Sequence, residues 1–230
     1  MLFSPLQFLG DLLYPDLCLS CDTNKKMPEN IWCASCAYKV AIADYHLYPN
    51  NKVMERFYGK VDLHRAAAVF NFSKGGNLQN LVHKLKYDNR PEIGIALGRL
   101  CGSLLATQSD YDIDVIVPVP MHPEKEFKRG YNQAALFGKG IAETLNRPLS
   151  TKDFIKTKAT VTQTAKSRAE RLENVKDVFH IANETALKGK HILLVDDIIT
   201  TGATLESCAN LLKTLPNVRI SIACIALAGL

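Results

Sequence analysis

The 230-residue chain is expected to fold as an α/β protein, a parallel sheet flanked by helices, preceded by a small four-cysteine module. Three observations carry this expectation. From residue 65 onward, short apolar runs alternate with segments of helical periodicity. One run, Ile192–Val195, passes through Asp196-Asp197 into a Thr- and Gly-rich turn and then an apolar-periodic segment. Four of the seven cysteines fall within residues 1 to about 50, beside the only tryptophan, Trp32.

The elements follow in order. Leu2, Leu6, Leu9 and Leu13 recur at helical spacing, and Phe3, Phe8 and Leu12 thicken the stripe. They predict a short amphipathic helix, which either caps its own domain or meets a membrane or a partner. Arg65–Phe72 is expected as a strand. Leu78, Leu81, Val82 and Leu85 mark one helix and Ile95–Leu105 a second. Asp114–Pro120 is a buried strand ending in prolines, Glu124–Leu145 is mainly helical, and Phe154–Thr157 is a strand. Ile192–Val195 is the central strand, Thr204–Leu215 its helix, and Arg219–Leu227 the closing strand. Strands separated by helices imply parallel pairing with helices on both faces. Residues 1–50 would form the cysteine module with its N-terminal helix, and residues 51–230 the α/β domain.

Composition bounds the function classes. Hydrophobic content of 47% and charged content of 22% belong to a globular protein. A net charge of +5 permits a polyanion partner without demanding one. The apolar N-terminus lacks a basic leading region and a small-residue cleavage site, and Asp11 interrupts it. A secretory signal is therefore not expected, and the expected compartment is the cytoplasm. No apolar run approaches the roughly 18 residues that a membrane span requires.

Cys18-x2-Cys21 and Cys33-x2-Cys36 are spaced so that two knuckles can deliver four thiolates to one tetrahedral ion. Structural zinc is the expectation. Disulfides or a redox pair are the alternatives, which a reducing compartment disfavours. Four cysteine ligands leave no open position, so such a site stabilises and recognises rather than catalyses. Cys101, Cys208 and Cys224 sit in apolar contexts and are expected in the core.

The segment His191–Leu205 carries the most chemistry. Ligands of open α/β sheets bind at the carboxyl ends of strands, and a helix N-terminus binds phosphate. Gly202 lets the backbone approach a ligand, while Thr200, Thr201 and Thr204, with Ala203 between them, add hydroxyl donors. Two carboxylates beside such a cradle suit ribose hydroxyls, or a divalent cation through water. The arrangement asks for a ribose 5-phosphate. The bland alternative is a generic strand-turn-helix with surface acids. A Walker-type loop is disfavoured because no Gly-Lys-Ser/Thr follows.

Two more segments are basic. Pro118 to His122 ends a strand in Pro120, Met121 and His122, and Lys125, Lys128 and Arg129 follow. Backbone N–H groups and cations there suit pyrophosphate; a solvated basic helix is the alternative. The polar stretch Lys156–Phe179 holds Arg168, Arg171 and Asn174. It suits a mobile lid over a reactive sugar cation, or else a solvated surface loop and helix.

His191–Leu205 resembles the phosphoribosyl-pyrophosphate (PRPP) signature of type I phosphoribosyltransferases: four apolar residues, Asp-Asp, two apolar residues, then Thr-Thr-Gly-x-Thr. The whole chain looks like the ComF family, bacterial phosphoribosyltransferase-like proteins linked to competence for DNA uptake. The resemblance runs through the cysteine quartet, Leu81–Tyr87 (LVHKLKY), the Val-Pro-Val-Pro strand end and Arg129–Gln133 (RGYNQ). It continues through Thr160, Gln163, Arg171 and Asn174 to the PRPP signature. It implies a type I phosphoribosyltransferase-like sheet with a zinc module on Cys18, Cys21, Cys33 and Cys36.

The same resemblance implies PRPP bound with magnesium. Asp196 and Asp197 would act on the ribose, Thr200–Thr204 on the 5-phosphate, and Pro120, Met121, His122, Arg129, Arg168 and Arg171 on the rest. Single-stranded DNA and a helicase are the implied partners. Two departures stand out. Lys156 replaces a common Arg and keeps its charge. Thr200 stands where purine-salvage enzymes often have an Asp acting on the base, so a purine acceptor does not follow. The reaction class would be displacement at the ribose anomeric carbon with an unnamed acceptor. A non-catalytic DNA-processing factor and a PRPP or nucleotide sensor are the other readings.

Overall fold

Strands β1 (Arg65–Phe72), β2 (Val115–Pro118), β5 (His191–Ile199) and β6 (Arg219–Ala228) pair in parallel in the order β1–β6–β5–β2. The computed structural model describes residues 16–27, 30–73, 75–157 and 178–229. The two central strands are buried throughout their apolar runs: Ile192–Val195 and Ile222–Ala226 have no exposed surface. That is why these runs do not alternate with polar residues, as half-buried strands do. Each sheet edge carries one isolated bridge. Ile42 bridges Phe70 of β1 antiparallel, and Leu149 bridges Ile116 of β2 parallel. Each short pairing occupies backbone groups that an open edge would offer to another chain.

Seven helices are described: α1 (Ala34–Lys39), α2 (Asn77–Tyr87), α3 (Pro91–Leu105), α4 (Pro123–Arg129), α5 (Gln133–Leu145), α6 (Glu184–Leu187) and α7 (Ala203–Leu212). Helix α3 begins four residues before the expected Ile95. Pro91 stands in its first turn, where the missing N–H costs nothing. Helices α3 and α5 cross almost backbone to backbone. A Cβ on Gly98 would lie 2.1 Å from the Phe137 carbonyl oxygen, and one on Gly140 2.0 Å from that of Ile95.

The stretch expected to be mainly helical over 124–145 is two helices, separated for local reasons. Gly130 adopts a left-handed conformation (φ 88°) and ends α4. Asn132 then caps α5, accepting from the Ala134 N–H at 3.0 Å, and donates to the Val119 carbonyl at 3.0 Å. Tyr131 donates its hydroxyl to the Leu85 carbonyl of α2 at 2.8 Å. The Arg-Gly-Tyr-Asn-Gln segment is thus a helix stop, a strut and a helix start.

Strands β3 (Phe154–Lys156) and β4 (Phe179–Ile181) form a separate antiparallel pair, with the rings of Phe154 and Phe179 5.8 Å apart. The stretch expected as a lid lies between them. Its candidate residues Thr160, Gln163, Arg168, Arg171 and Asn174 are outside the described residues, as is the expected N-terminal helix. No described helix is long and apolar enough to cross a membrane.

Candidate functional site

The central strand β5 runs farther than the apolar pattern indicates. It continues through both acids to Ile199, with Asp196 opposite Cys224 and Ile199 opposite Leu227 of β6. Its neighbour β2 stops at Pro118, opposite Val195. The carboxylates therefore emerge just past the end of β2, on a strand still held from its other side. Backbone pairing, rather than loop conformation, sets their direction.

The two acids are half-buried, not solvent-facing. Each accepts a hydrogen bond from the next residue's N–H: Asp196 from Asp197 at 2.8 Å, Asp197 from Ile198 at 2.6 Å. Asp197 also pairs with the Lys86 ammonium at 2.6 Å, across from the last turn of α2. Burial, and next the Asp197 charge, push the Asp196 carboxyl above the usual carboxylate range; Lys86 and Lys125 oppose the shift. A pair in which one acid resists ionisation is poised to accept a further cation or hydroxyl donors.

Thr200–Thr204 turns from β5 into α7 as the motif requires. Gly202 takes φ 80° at the helix N-cap, where its missing Cβ leaves room for the Phe57 ring. The Thr201 hydroxyl accepts from the Ala203 N–H at 3.4 Å. Asp196 and residues 198–205 enclose a hollow of about 40 Å³ at this helix start. Exposed hydroxyls of Thr200, Thr201 and Thr204 rim it. A helix N-terminus so presented offers backbone donors and a partial positive charge to an anion.

A larger cavity of about 550 Å³ adjoins the acids. Pro120, Met121, His122 and Arg129 line it as expected, and so do Lys86, Lys125, Lys128 and Lys156. His122 spends Nδ1 on accepting the Glu124 N–H at 3.3 Å, capping α4. Arg129 donates to the Gln133 side chain at 2.6 Å. Lys156 is half-buried and its ammonium sits 5.3 Å over the Phe179 ring; burial lowers its pKa. Thus Asp196, Asp197, Thr204, Pro120, Met121, His122 and Arg129 share one cavity, and Thr200–Ala203 border the adjoining hollow. Arg168 and Arg171 lie outside the described residues.

Lys86 and Tyr87 went unread as site residues, because helical periodicity marks only the apolar face of α2. The sequence signals that could have found them are the Lys-x-Lys at its C-terminal turn and the family motif Leu81–Tyr87 that contains both residues. Lys84 and Lys86 diverge. Lys86 reaches the acids, while Lys84 donates to the Leu19 carbonyl at 2.8 Å and pairs with Asp22 in the cysteine module. Ser20 adds a hydrogen bond to the Asn77 carbonyl at 3.2 Å. One helix therefore touches both candidate sites.

The sulfurs of Cys18, Cys21, Cys33 and Cys36 lie within 4.8 Å of one another, with Cys21 and Cys33 3.9 Å apart. Four ligands about 2.3 Å from one tetrahedral ion stand at nearly that separation, so the quartet can hold a metal such as zinc. The Thr23 hydroxyl donates to the Cys21 sulfur at 3.1 Å, and this contact leads the causes that lower its pKa to about 5. Burial pushes the Cys36 thiol up to about 12. A bound cation would draw all four to thiolates. Cys101, Cys208 and Cys224 are buried in the core, as expected.

The fold and site place two carboxylates and a helix N-terminus at the carboxyl end of a parallel sheet. The phosphoribosyl transferase domain matches residues 84–229, and the chain belongs to that family. The DNA utilization protein YhgH of Escherichia coli is 34% identical over 139 residues, covering 59% of this chain and 60% of that protein. Competence protein F of Haemophilus influenzae is 31% identical over 143 residues, covering 60% and 62%. The matched region thus spans about three fifths of these relatives, and the ComF resemblance read from the motifs is borne out. A B. subtilis glutamine PRPP amidotransferase structure is 23% identical, with a TM-score of 0.42 over 61% of this chain and 30% of that one.

Proposed function

We propose that the protein binds PRPP or a related ribose 5-phosphate, with magnesium, and acts in DNA uptake during natural transformation. The observation that carries the ligand is the meeting of the Asp196-Asp197 pair and a cationic wall in one cavity, with the Thr200–Thr204 helix start in the hollow that adjoins it. The DNA context rests on the relatives' names, DNA utilization protein and competence protein. The cytoplasm is the compartment we assign, since it keeps the cysteine quartet reduced for structural zinc.

The side chains divide the work. Thr200, Thr201 and Thr204, with the backbone from Gly202 and Ala203, hold the 5-phosphate. Asp196 and Asp197 accept the ribose hydroxyls and offset positive charge on the sugar ring. Pro120, Met121 and His122 shape the pyrophosphate side, where Lys125, Lys128 and Arg129 supply charge; Arg168 and Arg171 would add to it. The Lys86 ammonium held beside Asp197 supports a magnesium–ligand complex at the acids, since they already pair with a cation. When bound, magnesium neutralises pyrophosphate and eases its departure. Binding energy from the 5-phosphate can orient the anomeric carbon.

Turnover as a phosphoribosyltransferase is the enzymatic form of this reading. Binding without turnover, as a sensor or DNA-handling factor with a helicase docked on the cysteine module, is its alternative. It is favoured by His122, the one imidazole among the described residues that line the cavity, whose Nδ1 is committed to a helix cap. Calorimetric titration with PRPP and magnesium tests the ligand. The Asp196→Asn, Asp197→Asn double variant should bind at least about tenfold more weakly, since each charged hydrogen bond contributes roughly 1.5–3 kcal/mol. Unchanged affinity would refute the assignment. Release of pyrophosphate with candidate bases or ammonia then separates turnover from binding.

A further inference from the structure

Helix α4 buries none of its seven residues, yet carries Phe127 with 90% of its surface exposed. An aromatic ring left in water forgoes roughly 1.5–3 kcal/mol of burial, and a cluster of such rings marks a contact surface. A second ring stands nearby. Tyr87, at the end of α2, is 67% exposed. Its ring is flanked by the Arg129 guanidinium at 5.5 Å and by the His83 ring at 5.0 Å, which hold it in place.

Tyr87 and Phe127 both line an open groove of about 570 Å³. Lys125, Lys128, Arg129 and the Asp197-paired Lys86 line it, and among the described residues no carboxylate does. The acids of α4, Glu124 and Glu126, line other hollows. The groove shares Lys86, Tyr87, Lys125, Lys128 and Arg129 with the cavity at Asp196-Asp197, so the two are continuous.

We propose that this groove binds single-stranded nucleic acid, with bases stacking on Tyr87 and Phe127 and phosphates tracking the cations that line it. This names the contact surface for the DNA-handling role proposed above and rests on that role. Alternating cations and exposed rings are what a single strand requires, because every base has a face to stack and every linkage a charge to neutralise. A duplex hides its base faces and would leave both rings idle. An acidic membrane surface would also meet cations and an exposed Phe, but a concave groove lined by two rings suits a strand better than a plane.

The test uses the full chain and a fluorescein-labelled oligothymidylate of about 20 nucleotides, read by anisotropy. Binding should appear at low salt and weaken with a log–log slope of about −2 to −3, as three or four phosphate contacts dictate. Phe127→Ala should weaken it about tenfold, within the range for one stacked base, and Phe127→Tyr should restore it. Because Phe127 supports no buried contact, circular dichroism should show all three proteins equally folded. PRPP affinity should stay unchanged in Phe127→Ala, since Phe127 does not line the acid cavity. Oligonucleotide binding indifferent to Phe127→Ala would overturn the groove while leaving the DNA role standing. No binding at low salt would overturn both. Phe127-dependent binding to phosphatidylglycerol vesicles, with none to the oligonucleotide, would overturn the groove in favour of a membrane. Failure of the wild-type chain to bind PRPP would remove the ribose-phosphate reading and leave the groove intact.

Discussion

The pair of Lys86 and Asp197 gives the sharpest test of how the candidate site is held. The two side chains are 23% and 18% exposed and meet at 2.6 Å, so the pair is neither free in water nor sealed from it. Exposed pairs contribute roughly 0–1 kcal/mol, whereas removing one partner of a buried pair costs roughly 3–5. Lys86→Met keeps the aliphatic stem and removes the charge. It leaves Asp197 beside Asp196 with its close cation gone, and a cost near 2 kcal/mol follows from the intermediate burial. Asp197→Asn removes the same pair but relieves the repulsion on Asp196, so its cost should stay below about 1 kcal/mol. In the double variant the Lys86→Met penalty largely disappears. A double-mutant cycle in urea should therefore return a coupling of about 1–2 kcal/mol. Millimolar magnesium should stabilise Lys86→Met more than wild type, because a divalent cation takes over the vacated charge. A coupling below about 0.3 kcal/mol, with no added magnesium effect, would refute the view that Lys86 balances the acid pair.

Three further outcomes follow from the structure. Purified protein should contain close to one zinc per chain by elemental analysis, lost in Cys33→Ser; metal-free protein with the thiols reduced would remove the zinc assignment. His191 is buried, with its ring nitrogens 2.8 Å from the Asp112 carbonyl and 2.8 Å from the Ser221 hydroxyl, and burial lowers its pKa to about 4. Its contribution is fully present above the unfolded value near 6.5 and lost as pH falls toward 4, about 3 kcal/mol in all; an imidazole seen by NMR to titrate near 6.5 would contradict this. Gly98→Ala should cost about 3 kcal/mol or more despite better helix propensity, because the new methyl meets the Phe137 carbonyl oxygen at 2.1 Å and two helices must part; a loss under about 0.5 kcal/mol in a urea melt would mean that the α3–α5 crossing is looser than described.

Local signals settled much of this molecule in advance. The runs at Arg65–Phe72 and Arg219–Leu227 become strands at nearly those bounds, because continuous β-branched and apolar sequence has one low-energy use in a sheet buried on both faces. The turn at Thr200–Thr204 and the convergence of the cysteine quartet were also legible, since each depends on residue spacing over a few positions. Tertiary structure alone decided the rest. Periodicity places Asp196 and Asp197 after an apolar run, but only pairing with β6 shows that the strand carries both acids past the end of β2. It assigns Lys86 to the polar side of a helix, but not to a carboxylate on a distant strand. The same holds for the groove lined by Tyr87 and Phe127, built from two helices whose meeting neither sequence segment encodes. Hydrophobic pattern reports what each element buries, and it is silent on which polar groups different elements bring face to face.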